Sequence, residues 1–394
     1  MSALVLVAAT VGSTGAADAG PATVSGTPSR TAAQPTASVT YDLGDAAYRL
    51  PGTGEPVELA GSVRYPADLG RGRHPLVVLM HGWHETCADP RAEAARTAAE
   101  KADDTDAYEA ASKKLFSWPC AAKTPALPSF RGYDYLSRRL ASRGFVVVSL
   151  SANGINASPV TGDDGAAVRA GLINRHLRMW KRLDRTGSGP LAGAFKRAST
   201  GKRAKVPFAR HLDMRNVGLV GHSRAGAGVT WEAADSHRGQ WPGGVRIRAA
   251  VAVAPAYNVM TENMADYAVT RIPLAVLRGT CDGQVGTEAL SFPAEATSGK
   301  RKNLHRVRIP GANHNFFNTQ WSPRSGQVAA FDDAVKVRKK PGWCTDREDA
   351  PAARQLTEAQ QHRVAVTTID GFLRRALLKD TADSAKAGRA ASRH

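Results

Sequence analysis

The sequence predicts an α/β fold built on a parallel sheet. Short, continuously apolar runs read as buried strands, and segments of helical periodicity separate them. That alternation of strand and helix is the pattern of a parallel sheet. The chain has 394 residues, 42% of them hydrophobic, enough for one large domain with a substantial core.

The elements follow in order. Val57 to Tyr65 and Pro75 to Met80 read as early strands. Arg131 to Arg143 reads as a helix whose apolar stripe is Tyr135, Leu136 and Leu140. Gly144 to Leu150 is a buried strand. Asp163 to Asp184 is a long helix, with Asp163 or Asp164 as its cap and Leu172, Ile173, His176, Leu177 and Trp180 at helical spacing. Val217 to Gly221 is a strand, and so are Ile247 to Ala254, Ile272 to Gly279 and the alternating Leu304 to Ile309. Gln355 to Leu378 closes the fold as a helix, with Thr357 as a candidate N-cap. No internal repeat is visible.

Three stretches exceed a minimal fold of this kind. Residues 84–130 contain the charged, helical-looking Arg91 to Lys114. Residues 185–211 are rich in Gly, Lys and Arg and read as an exposed loop. Residues 319–350 carry Trp321, Phe331 and Trp343. Long loops in compact domains are often lids or binding loops. The first and third of these adjoin the chemical loops described next, so rim or lid roles are expected of them.

The strand before Gly221 runs into Gly221-His222-Ser223-Arg224-Ala225-Gly226, followed by a helix-like segment. Such a strand–turn–helix lifts a serine hydroxyl out of the sheet. The usual pattern is Gly-x-Ser-x-Gly; here Ala225 holds the last position and glycine follows one step later. A serine hydroxyl is a weak nucleophile near neutral pH, so an imidazole must take its proton, and a carboxylate must hold that imidazole. Both partners follow in the order Ser, Asp, His. Asp282 lies just past the strand ending at Gly279, and His314 lies in the Gly-bearing loop after Ile309. In isolation Asp282 would be a turn carboxylate and His314 a loop residue. Three strand-end loops in this order make Ser223, Asp282 and His314 a candidate triad.

An oxyanion requires fixed donors. One candidate is the backbone N–H of Arg224, directly after the nucleophile. The other is the N–H of Trp83, in His81-Gly82-Trp83 after the strand ending at Met80. Trp83, Tyr257, Phe316, Phe317 and Trp321 lie on or near these loops and form a candidate aromatic cleft, with ordinary packing as the competing reading.

On these residues the chain resembles the secreted α/β-hydrolases of the lipase, esterase and cutinase-like superfamily. The resemblance rests on His81-Gly82-Trp83, Gly221 to Gly226, Asp282 with Val285, and His314, and spans roughly residues 57–378. It implies a mostly parallel eight-stranded sheet with helices on both faces, and ester hydrolysis through an acyl-enzyme. A serine nucleophile disfavours the aspartate-dependent dehalogenases and epoxide hydrolases of the same superfamily. A secreted peptidase or amidase with the same triad is the first alternative. A non-catalytic binding protein on this scaffold is the second.

Residues 1–19 resemble a signal peptide, with an apolar run from Ser2 to Ala9 and Ala17-Asp18-Ala19 at a cleavage position. No basic residue precedes the run, which suits a truncated or mis-started leader. The run is too short for a membrane span. Residues 20–40 read as a flexible leader, 41–380 as the catalytic domain, and 381–394 as a disordered basic tail. The four cysteines suit an oxidising compartment. Three pairings are possible; Cys87–Cys120 with Cys281–Cys344 is preferred, because a tether at Cys281 would hold Asp282 in place.

No His/Cys spacing suggests a metal site, no glycine-rich nucleotide loop is present, and no cofactor is expected. There are 53 Lys and Arg against 35 Asp and Glu, a formal +18. Such a field attracts anionic surfaces non-specifically. No nucleic-acid-binding motif interleaves with the basic runs, so a secreted monomer acting on small or polymeric esters is the expectation.

Overall fold

The computed structural model describes residues 33–298, 302–326, 340–346 and 351–378. The expected signal peptide, most of the leader, the basic tail and Phe331 lie outside the described residues. The strands are β1 (Thr36–Asp42), β2 (Tyr48–Arg49), β3 (Pro56–Val57), β4 (Ala60–Pro66), β5 (His74–Met80), β6 (Val146–Leu150), β7 (Lys196–Arg197), β8 (Leu212–His222), β9 (Ile247–Val253), β10 (Leu274–Gly279), β11 (Leu304–Ile309), β12 (Trp343–Cys344) and β13 (Ala353–Arg354). The α-helices are α1 (Pro90–Lys101), α2 (Thr105–Leu115), α3 (Asp134–Ala141), α4 (Asn153–Ala157), α5 (Gly162–Thr186), α6 (Arg224–Ala233), α7 (Glu288–Ala296) and α8 (Glu358–Leu377).

One nine-stranded sheet runs β11-β10-β9-β8-β5-β6-β4-β1-β7. From β11 to β6 every neighbouring pair is parallel. β4 and β1 turn the remaining edge antiparallel, and β7 pairs briefly with β1. The sheet has nine strands where eight were expected; β7, at one edge, is only two residues long. β1 also begins inside the segment read as a flexible leader: Val39 and Tyr41 are buried, so the stretch has a core face.

The central strands are buried on both faces, which is why β6 and β10 read as nearly continuous apolar runs, broken by Ser149 and Arg278. One core layer joins Leu76, Val78, Val148 and Leu219 to Leu172, Ile173, Leu177 and Trp180 of α5. The other joins Val77, Leu79, Val147 and Val251 to α3 and to Ile369, Phe372 and Leu373 of α8. Layers of helix therefore cover both faces of the sheet.

Several boundaries differ from the sequence expectation. Arg131 to Arg143 resolves into a 3₁₀ turn, Ser129–Tyr133, and the shorter α3. Neither Asp163 nor Asp164 caps α5; Thr161 stands at that position and both aspartates lie in the first turn. Residues 185–211 are not simply exposed: Leu191, Phe195 and Phe208 are buried, and Trp180 packs edge-on against Phe208 with ring centres 5.2 Å apart. Thr357 does cap α8, in a reciprocal capping box with Gln360.

Because the strands from β6 to β11 run parallel, their carboxyl ends lie along one edge. The loops after β5, β8, β9, β10 and β11 all open there, where α/β sheets keep their crevice.

Candidate active site

Ser223 is the single residue between β8 and α6, with φ 57° and ψ −127°. A non-glycine residue in that region is strained, and such strain is held only by its surroundings. Here the Ser223 N–H donates to Val253 O at 2.9 Å, and its carbonyl accepts from Gly226 N at 2.7 Å and Ala256 N at 3.1 Å. The turn requires glycine on either side. A Cβ on Gly221 would overlap the Ala225 carbonyl, and one on Gly226 would lie 2.8 Å from Pro255 Cβ. The second glycine of this turn is thus needed at position 226, while Ala225 is fully buried and tolerated.

Asp282 and His314 meet in hydrogen-bond contact. His314 Nδ1 lies 3.0 Å from Asp282 Oδ2 and 3.1 Å from Oδ1, with both side chains buried. Asp282 Oδ1 also accepts from the backbone of Gln284 at 3.0 Å and Val285 at 2.9 Å, which fixes the carboxylate. The two loops are sewn together by Cys281 N to Ala312 O at 2.8 Å and Gly311 N to Thr280 Oγ1 at 2.9 Å. Both expected disulfides are present: Cys87–Cys120 and Cys281–Cys344, with Cα atoms 5.6 and 5.2 Å apart.

His314 is brought beside the Ser223 turn through His222, whose ring centre is 4.8 Å from that of His314. Burial, with the neighbouring His314 charge, drives the His222 imidazole well below its ordinary range, so it is neutral. Tyr133 OH meets its Nδ1 at 3.0 Å.

The Gly82 backbone passes directly against Ser223. A Cβ there would collide with Ser223 Cβ and reach 3.1 Å from Ser223 Oγ. The Gly82 carbonyl is held from two sides, by Asn156 Nδ2 at 2.8 Å and His81 Nδ1 at 2.9 Å. His81 Nε2 accepts from Ala152 N at 2.9 Å, so the ring must carry its proton on Nδ1. Burial pushes its pKa down to about 3, which keeps it neutral. A peptide unit is rigid and trans, so anchoring the Gly82 oxygen turns the Trp83 N–H the opposite way. Arg169 Nη2 in turn donates to Asn156 Oδ1 at 2.8 Å.

The side chains of the two candidate oxyanion residues touch. The Arg224 guanidinium stands 4.7 Å over the Trp83 ring, and Trp83 stacks on Phe116 of the 84–130 insertion at 4.6 Å. Two cavities flank this pair. One, of about 290 Å³, lies between the insertion and the loops after β10 and β11 and is lined by Trp83, Glu85, Tyr108, Phe116, Gln284 and Asn315. The other, of about 250 Å³, is lined by Gly162, Arg169, Arg224, Tyr257 and Asn258 among others.

Of the residues named for an aromatic cleft, Trp83 and Tyr257 line these cavities. Phe317 and Trp321 do not; both are buried. Trp321 stacks on His84 at 4.9 Å and donates from Nε1 to Ser129 Oγ at 3.0 Å. Phe317 packs edge-on against His222 at 5.7 Å. Phe316 is half-buried, lines neither cavity and donates its amide to Asn313 Oδ1 at 2.9 Å. The Trp321 and Phe317 rings thus pack against His84 and His222.

The insertion is a built wall. Arg96 bridges Glu85 at 2.7 Å and Glu93 at 2.8 Å. Burial alone would raise the Glu85 carboxyl, but His84 and Arg96 outweigh it and hold it down to about 2.

Sequence reading missed Asn156, Arg169 and Gln361 as site-building residues, and named His81 only as part of the His81-Gly82-Trp83 motif. Gln361 of α8 accepts from Asn313 N at 2.9 Å and donates to Asn313 O at 2.8 Å, clamping the residue before His314. Arg169 carried a readable signal, since it falls on the apolar stripe of α5 with Leu172 and Ile173.

Among the described residues, no group of three His, Cys, Asp or Glu side chains is arranged to hold a metal ion, and no helix is long and apolar enough to cross a membrane. No family model matches the chain, and no curated protein matches it significantly.

Proposed function

We propose that this chain is a secreted serine hydrolase of the α/β-hydrolase type that cleaves carboxylic esters through an acyl-enzyme. The observation that carries this reading is the buried His314–Asp282 pair, held beside a strained serine turn at the carboxyl edge of a parallel sheet. The large, mostly parallel sheet with helices on both faces is compatible with the fold that the resemblance implies. The two disulfides support an oxidising, extracellular setting.

In this mechanism Ser223 Oγ attacks the ester carbonyl carbon while His314 takes its proton. Asp282 holds the imidazole in the tautomer with Nδ1 protonated and stabilises the imidazolium. The carbonyl oxygen becomes an oxyanion facing the amides of Trp83 and Arg224. Neither amide is engaged in a hydrogen bond among the described residues, so both are free to donate. Collapse expels the alcohol, which receives the proton from His314. Water then attacks the acyl-enzyme with His314 as base, Ser223 recovers its proton, and the carboxylic acid leaves.

The test is hydrolysis of short-chain p-nitrophenyl esters by the purified chain. Turnover that is lost in Ser223→Ala supports the reading. Equal inertness of wild type and variant across acyl lengths would overturn it. Cleavage of peptide amides with little esterase activity would move the assignment to a peptidase.

A further inference from the structure

Arg224 follows the nucleophile directly, and its side chain lines the 250 Å³ cavity together with Arg169. Arg169 is almost completely buried, at 1% exposure. A buried guanidinium is ordinarily paired with a carboxylate. Neither arginine forms an ion pair among the described residues. Among the described residues Arg169 donates only to neutral oxygens, Gly165 O at 3.0 Å and Asn156 Oδ1 at 2.8 Å, and its Nε has no hydrogen-bond partner there.

The residues lining the cavity include no carboxylate. Asp163, one residue beyond the lining Gly162, is already engaged: its Oδ2 accepts from Thr261 Oγ1 at 2.8 Å and its Oδ1 from Tyr267 OH at 2.7 Å. Burial holds the Arg169 guanidinium down to about 9, with repulsion from Arg224 adding to it. The cavity thus gathers positive charge beside the residue that follows Ser223, and among the described residues its lining supplies no anion.

We infer that the preferred substrate is an ester carrying an anionic group, a carboxylate or a group of like charge, which Arg224 binds in this cavity with Arg169 reinforcing the field from beneath. The inference rests on the hydrolase reading of the same site. Charge-assisted hydrogen bonds from a fixed guanidinium fork supply the selectivity, and the partly desolvated setting strengthens them. The stacked Trp83 ring holds the Arg224 fork in place before substrate arrives.

The experiment compares kcat/KM of the full chain on two matched pairs. p-Nitrophenyl hemiadipate against p-nitrophenyl hexanoate places the anion on the acyl side. 4-Carboxyphenyl hexanoate against phenyl hexanoate places it on the alcohol side. Each rate is corrected for spontaneous hydrolysis. The expected result is a preference of at least about tenfold for the anionic member of one pair, the scale of a single charged hydrogen bond. That preference should shrink at high ionic strength and largely vanish in Arg224→Gln. Activity on the neutral esters with no anionic preference in either pair overturns this inference and leaves the hydrolase reading standing. A preference that survives Arg224→Gln also overturns it. Inertness on all four esters, with no labelling of Ser223 by a fluorophosphonate, removes both. Should the variant fail to fold, competitive inhibition of the wild type by adipate against neutral adipamide decides: equal inhibition overturns the proposal.

Discussion

The side-chain amide of Asn156 donates to the Gly82 carbonyl at 2.8 Å and thereby aims the Trp83 N–H of the same peptide unit. Asn156 does not need to touch the substrate; it acts through the backbone it holds. Asn156→Asp keeps an acceptor for Arg169 but loses the donor to Gly82. The expected outcome is a fall in kcat of about tenfold or more with little change in KM, because the oxyanion forms only in the transition state. Steady-state kinetics with circular dichroism as a folding control checks it. A change confined to KM would remove Asn156 from this role.

Asp282 governs the tautomer of His314. Replacing it with Asn keeps the size but offers an amide where the Nδ1 proton needs an acceptor. Ester hydrolysis in Asp282→Asn should fall by about 10³–10⁴-fold in kcat, as for comparable triads. A loss under tenfold in the kcat of the folded variant would contradict the assignment.

The Cys281–Cys344 bond joins the residue before Asp282 to a segment that also carries Asp346. Asp346 bridges Arg278 of β10 at 2.7 Å and Arg308 of β11 at 2.6 Å, and its hydrogen bonds to Arg308 hold its carboxyl below the ordinary range. Removing the bond as Cys281→Ser with Cys344→Ser should cost about 2–5 kcal/mol. It should also lower kcat, because the acid loop loses its tether. Denaturant melts and kinetics on the same preparation test both halves.

Glu232 is buried; its Oε2 accepts from Asn174 Nδ2 at 2.9 Å, and the Arg178 charge also acts on it. Burial raises its carboxyl well above the reference value of 4.5. The folded state therefore keeps a proton that the unfolded chain has released. This contribution to stability is complete below about pH 4.5 and is lost as the pH rises through the folded value. Glu232→Gln should melt at a higher temperature than wild type at alkaline pH, with the difference narrowing toward pH 4. The reverse trend would mean that Glu232 is ionised and paired in the fold.

Much of the frame was legible because it depends on local pattern. β6 and β10 announce themselves as apolar runs, and the loops holding Ser223, Asp282 and His314 follow directly from strands. The disulfide pairing could be anticipated because Cys281 adjoins Asp282. What was not legible depends on long-range contact. Asn156 reaches Gly82 across 74 positions, and Gln361 reaches Asn313 across 48. β1 was hidden because its alternating, Thr- and Ser-bearing sequence resembles a leader until its pairing with β4 is seen. Trp321 and Phe317 read as cleft residues from their position near His314, yet they pack against His84 and His222. Proximity in sequence does not tell which way a ring turns.

The most direct test of the central claim is to treat the full chain with a fluorophosphonate probe and locate the adduct by peptide mass spectrometry. Stoichiometric modification at Ser223 is expected, abolished in Ser223→Ala and strongly slowed in Asp282→Asn. A folded protein that remains unlabelled, or one labelled at another serine, would contradict it.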